Sequence, residues 1–211
     1  MPLPTFMTPL KPLIFASCLL LSSSFSIAQT VAPHASGNTV TLRQGGQLGN
    51  AYFGDGNTDK GGHGQVIDGI EGSSHEMLKY HYHAHLSIFY KDKQIAVPRG
   101  IGIIKPLQVA DGFVEGGKGF YWLHTHDASG ILHIESPTDK TYDLGNFFDI
   151  WGQPLDAHNV AGFHGTVRTL VNGRVYFGDI RKIALIEHLQ ISLAVDSPAV
   201  GPENYIFPDG L

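Results

Sequence analysis

The stretch His81–Tyr90, HYHAHLSIFY, constrains the fold more than any other part of the chain. Its residues alternate at period two. An extended strand therefore puts Tyr82, Ala84, Leu86 and Ile88 on one face and His81, His83, His85 and Ser87 on the other. Lys91-Asp92-Lys93 supplies a turn, and QIAVP returns as a partner strand that Pro98 ends. The chain thus announces a hairpin with one aliphatic face and one imidazole face.

GFYWLHTHDASGILHIES predicts a second hairpin, two apolar-rich runs joined by the polar turn Asp127-Ala-Ser-Gly130. LGNFFDIWGQ is the one short helix expected: Asn146 can cap it, Phe147, Phe148 and Trp151 cluster on one side, and Gly152 and Pro154 stop it. TVRTLV, Asn172-Gly173 and RVYFG form a third hairpin around a two-residue turn. ALIEHLQISLAV is a last strand, with Leu189, Ile191 and Leu193 facing inward. Together these predict a mainly β domain, an antiparallel β-sandwich, barrel or β-grasp-like sheet built from hairpins with one short helix.

The second hairpin carries the sharpest chemical expectation. With Asp127 to Gly130 as a four-residue loop, antiparallel register pairs His126 with Ile131, His124 with His133 and Trp122 with Glu135, all on one face. Opposed Cβ atoms stand about 4.5 to 5.5 Å apart, so His124, His126 and His133 can converge on one ion with Glu135 beside them. Tyr121, Leu123, Leu132 and Ile134 already supply the other, core-facing side.

On the first hairpin His81 and His85 lie about 13 Å apart along the strand, too far to share an ion, whereas neighbours in the row can chelate. His83 and His85, nearer the middle, are the candidates there. The expected ligands are therefore His83, His85, His124, His126, His133 and Glu135. Imidazole and carboxylate donors suit Zn²⁺ or Cu²⁺, with Fe²⁺ next. Cu⁺ is disfavoured for want of sulfur ligands. His34, His63, His158 and His164 read as surface residues and Asp127 as a turn former. Glu76 reads as a solvated acid, and His188 as at most an outer neighbour.

The N-terminus reads as an export signal: Lys11, then the apolar run LIFASCLLL, then Ser26 and Ala28 as small residues before a cleavage point. The run is too short to span a bilayer, so no integral membrane segment is expected after processing, and the mature chain is expected in the periplasm or outside the cell. Cys18, inside the apolar run, is the only cysteine, so a processed chain has neither a disulfide nor a thiolate ligand. Residues 29–65 are rich in Gly, Asn and Asp and read as a flexible arm, 66–195 as the histidine-rich domain, and 196–211 as a tail. A formal net charge of −5 without clustered Lys or Arg argues against a nucleic-acid partner and leaves the metal ion as the expected one.

VIDGIEGSSHEMLKYHYHAHLSIF, YWLHTHDASGILHIESP, LGNFFDIWGQPL and VNGRVYFGDIRKIALIEH together resemble a family of uncharacterised exported bacterial proteins with HxHxHL and YWLHTHDxSGxxHIESP motifs. The resemblance spans about residues 66 to 195. It implies that the six candidate ligands belong to one shared motif, and it implies no activity. Members often carry cysteines near the positions of Glu71-Gly72 and Phe120, which this chain lacks. Its His-Thr-His also echoes the cupin and copper/zinc superoxide dismutase patterns, but Glu135 lies nine residues past His126 rather than the cupin spacing, and the dismutase cysteines are missing.

Three functions fit the sequence: an exported protein that binds Zn²⁺ or Cu²⁺, a metalloenzyme (hydrolase or oxygenase) using the same histidines, or a metal-free interaction module. No nucleophile elbow, phosphate loop or dinucleotide fingerprint points to a metal-free enzyme.

Overall fold

A computed structural model describes residues 1–2, 38–197 and 204–211. The chain divides into two units, Met1–Pro33 and His34–Leu211, and the architecture below is that of the second. The expected export signal and Cys18 lie outside the described residues. Among the described residues no helix is long and apolar enough to cross a membrane.

The elements that build the body are, in chain order, β1 (Thr39–Thr41), β2 (Tyr80–Tyr90), β3 (Lys93–Ile95), β4 (Gly119–Tyr121), β5 (Leu123–His124) and β6 (Ile131–Ser136). They continue with α1 (Leu144–Trp151), β7 (Val167–Val171), β8 (Arg174–Tyr176), β9 (Gln190–Val195) and β10 (Asn204–Ile206). The main sheet has seven strands in the order β8-β7-β9-β2-β6-β5, with β3 also on β2. Most pairs are antiparallel and the sheet does not close into a barrel. Two pairs depart from the hairpin scheme: β9 runs parallel to β2, and β1 parallel to β10.

The eleven-residue β2 is the spine. Its first half pairs with β6, its second half with β3, and β9 runs alongside from His85 to Tyr90. Ala84, Leu86 and Ile88 enter the main apolar core as the alternation requires. The opposite face is covered as well. His83, His85 and Ser87 are buried, so the row is interior from His83 onward, and only its first member, His81, is exposed.

The hairpin turns follow their residues. Lys91 and Asp92 both take positive φ, as do Asn172 and Gly173, and each pair closes a two-residue turn. The expected run GFYWLHT is not one strand: β4 pairs in a separate small sheet with Gly72–Ser73 and Ile103–Ile104, and only β5 joins β6. ALIEHLQISLAV is likewise split. Ala184–Leu185 pairs with Tyr142–Asp143, and His188, at positive φ, breaks the extended run before β9 begins.

The helix starts a little earlier than Asn146. Asp143 is its N-cap, and Asn146 sits one turn in, where its Oδ1 accepts the Asp143 N–H at 2.9 Å. Gly152, left-handed with φ 79°, ends it as expected. Phe147, Phe148 and Trp151 are fully buried in the main core, each contributing about 1.5–3 kcal/mol of burial. Trp151→Ala would cost about 3–5 kcal/mol.

The described part of the Gly/Asn-rich segment, residues 38–65, is laid along the body by backbone hydrogen bonds: Leu48 N–H to Ala128 O, Asn50 N–H to Gln94 O, Gly56 N–H to Arg99 O and Gly62 N–H to Ile150 O. Polar, glycine-rich composition here serves close approach. A Cβ on Gly61 would collide with the carbonyls of Ile150 and Trp151. The body also extends past Val195, because Tyr205 on β10 is buried in a second small cluster with Leu42 and Ile131.

Candidate metal centre

The centre forms where β2, β6 and β5 lie side by side. β6 pairs His133 with His83 on one side and with His124 on the other, the latter being the register the Asp127–Gly130 loop predicts. His126, just beyond β5, keeps the same facing. Asp127 itself is turn chemistry: its carboxylate accepts from Ser129 N at 2.9 Å and from Gly45 N at 2.8 Å.

Two backbone carbonyls fix the imidazoles of His124 and His126. His124 Nδ1–H donates to Tyr121 O at 2.9 Å, and His126 Nδ1–H donates to Val114 O at 2.6 Å. In the neutral rings each Nε2 must then present a lone pair. These two Nε2 atoms face each other at 3.0 Å. Two acceptors at that distance repel unless something positive stands between them. Outer hydrogen bonds that set the tautomer and aim the free nitrogen are the usual support of a metal-bound histidine.

Glu135 projects from β6 into the same space. Its Oε1 lies 3.7 Å from His124 Nε2, 3.5 Å from His133 Nδ1 and 3.2 Å from His81 Nε2. Its Oε2 is buried with no hydrogen-bond partner among the described residues. One donor atom from each of His124, His126, His133 and Glu135 lies within 4.8 Å of the others, and all four residues are buried. A tetrahedral ion with ligands at about 2.0–2.1 Å sets donors about 3.3 Å apart, close to the separations found.

A second group is formed by His81, His83 and His133. His81 Nε2 lies 3.0 Å from His83 Nε2, which lies 3.2 Å from His133 Nδ1. His81 is the exposed member, with 34% of its side chain accessible. Position near the middle of the strand favours His83 with His85, but the neighbours that the structure brings together are His81 and His83. Glu76 is likewise nearer than expected, with Oε1 3.3 Å from His126 Nε2. A cleft of about 500 Å³ opens onto Glu76, His81, Glu115, His126, His133 and Glu135.

His85 is the expected ligand that the structure places elsewhere. Its Nε2–H donates to Ser129 O at 2.9 Å, and its ring stacks on Tyr205 with centroids 3.7 Å apart. It belongs to neither group, because Nε2 is taken by the Ser129 carbonyl and one ring face by Tyr205. The remaining expectations concern the surface: His63, His158 and His164 are exposed, His188 hydrogen-bonds Leu211 O, and His34 lies outside the described residues.

Burial dominates the proton equilibria. Desolvation, helped by neighbouring imidazoles, holds His124 and His133 well below the ordinary histidine range and His83 near 4, and it lowers His81 to a lesser degree. Desolvation pushes the Glu135 carboxyl up to about 8, with Glu76 adding to the rise. Neutral imidazoles in acid solution are ligands that a cation need not strip of protons.

Compared with family models, curated proteins and solved structures, the chain shows no match.

Proposed function

We propose that this chain is a metal-binding protein that holds one Zn²⁺ or Cu²⁺ ion on His124, His126, His133 and Glu135, and that it works in the periplasm or outside the cell. The observation that carries the reading is the pair of Nε2 lone pairs 3.0 Å apart, each aimed by a backbone carbonyl behind its ring. A cation between them turns a repulsion into two bonds. Three imidazoles and a carboxylate make a complete four-donor set of borderline character, which suits Zn²⁺ and Cu²⁺ and gives Cu⁺ none of the sulfur it prefers. Four protein donors favour holding an ion over reacting at it, since catalytic zinc sites keep a position open for water. The location rests on the leader-like residues 1–28 and on the resemblance to exported proteins.

Metal analysis and titration calorimetry test the reading. Purified protein freed of metal by chelator should take up about one equivalent of Zn²⁺, and His124→Ala should weaken it on the order of a hundredfold or more, beyond the 10–100-fold typical of losing an outer partner. No uptake by the unaltered protein would overturn the proposal.

A further inference from the structure

The two histidine groups share more than proximity. His81 Nε2, His83 Nε2, His133 Nδ1 and Glu135 Oε1 follow one another at 3.0, 3.2, 3.5 and, back to His81, 3.2 Å. His81, His83 and His133 are spaced to ligate one ion, and Glu135 Oε1 lies against two of them, His81 and His133; the four separations are near the edge of a tetrahedral site, about 3.3 Å. This group meets the set of His124, His126, His133 and Glu135 along one edge, His133 Nδ1 to Glu135 Oε1.

A shared edge forbids double occupancy through the same donors. Two ions each about 2.0–2.1 Å from both ends of a 3.5 Å edge could stand no more than about 2.3 Å apart, against the 3.5–4 Å of real two-metal centres. The Nδ1 lone pair of His133 can also bind only one ion at a time. One set is buried, with His126, His133 and Glu135 at the floor of the cleft. The other ends at His81, the accessible residue in the wall of the cleft, with Glu76 and Glu115 supplying negative charge at the mouth.

Resting on the metal-binding reading above, we infer that His81 and His83 form an entry station, from which a single Zn²⁺ or Cu²⁺ passes inward by exchanging those two imidazoles for His124 and His126 while His133 and Glu135 stay bound. No step along this path leaves the ion with fewer than two protein ligands, so a strongly hydrated cation can be dehydrated in stages. The outer station changes the rate of loading and leaves the final bound state as it is.

Stopped-flow mixing of metal-free protein with Zn²⁺, and of Zn²⁺-loaded protein with a chelator, tests this. His81→Ala should slow loading and release about equally, each about tenfold, the effect of a barrier raised by about 1.4 kcal/mol, with the equilibrium affinity unchanged. The double variant His124→Ala/His126→Ala should keep one weak equivalent that exchanges fast, and adding His81→Ala should abolish it. Far-ultraviolet circular dichroism of each variant confirms folding, and His81→Gln serves if His81→Ala is unstable.

Rates unchanged in both His81 variants would overturn the inference. So would two equivalents in the unaltered protein, or slowing by Glu76→Gln in place of His81→Ala, which would place the entry at His126. Absence of Zn²⁺ binding by the unaltered protein would instead overturn the metal-binding reading itself.

Discussion

His83 and His85 stand two residues apart on one face of one strand, and both are buried, yet they live in different chemistry. Around His83 the neighbours are His81 and His133, and its Nε2 faces their ring nitrogens. Around His85 the neighbours are the Ser129 carbonyl from the 127–130 loop, the Tyr205 ring from β10 and the hydroxyl of Ser87 on its own strand. Burial and spacing do not separate the two residues. What separates them is whether the protein has already satisfied the imidazole: His85 is a finished piece of packing, and the His83 side of the sheet is a set of ring nitrogens facing one another at metal-ligand spacing.

The largest expected difference is in affinity. His133→Ala removes a donor common to both groups and should cost on the order of a hundredfold or more in Zn²⁺ binding, whereas His85→Ala should leave the affinity within a few fold. Calorimetric titration of the two variants side by side decides the matter. Equal losses would erase the distinction drawn here.

Acid should expose the two regions in common, and its sign can be worked out. His83 and His85 are held near 4, and His124 and His133 well below the ordinary value, so the folded metal-free protein keeps them neutral while the unfolded chain takes up protons near 6.5. Stability from these groups is present above about pH 6.5 and is lost as pH falls toward 4, at about 1.4 kcal/mol per unit for each fully buried imidazole. Glu135, raised to about 8, acts in the opposite sense: its contribution is present at low pH and is lost as pH rises through 8. Several imidazoles outweigh one carboxyl, so the metal-free protein should be most stable between about pH 6.5 and 7. Thermal midpoints in chelator at pH 5, 6.5 and 8 measure this. A midpoint at pH 5 equal to that at 6.5 would contradict the burial of neutral imidazoles.

A smaller effect sharpens the packing side. Tyr205→Phe removes the hydroxyl that accepts from Ser87 Oγ at 2.7 Å but keeps the ring on His85, so it should cost about 1 kcal/mol of stability and leave Zn²⁺ affinity unchanged. Denaturant unfolding alongside a metal titration reads both quantities. The smallest expectation is for His63→Ala, an exposed residue far in kind from either region, which should shift stability by less than about 0.5 kcal/mol and affinity not at all.

How much of this was legible depended on whether a contact is local. The His124–His133 register was readable because a four-residue loop and strict alternation determine it within one hairpin. The Asn172-Gly173 turn and the Gly152 helix stop were readable for the same reason: each is a backbone conformation written in one or two residues. The fate of His85 was not, since Tyr205 lies 120 residues away in a segment taken for a tail, and nothing local marks it as a lid for an imidazole. The parallel pairing of β9 with β2 was equally silent, because alternation reports which face a residue takes and never which strand lies beside it. For residues 38–65 composition is silent on placement: glycines that lie flat on Ile150 and Gln94 look the same in sequence as glycines in a free chain. The carbonyls that orient His124 and His126 belong to Tyr121 and Val114, and any residue type could have supplied them.

β2 carries two interleaved messages, apolar on even-numbered positions and largely imidazole on odd ones, and from His83 to Phe89 both faces are enclosed. Its reading frame is therefore fixed more tightly than its spelling. A substitution such as Ile88→Val alters one letter of one message and trims one methyl group. Loss of a single codon between Tyr82 and Leu86 instead transposes the two messages for half the strand, sending imidazoles into the aliphatic core and aliphatic side chains among the clustered histidines. In a library of single-residue deletions this strand should be the least forgiving segment of the chain, while in a library of conservative substitutions its aliphatic positions should pass as ordinary core.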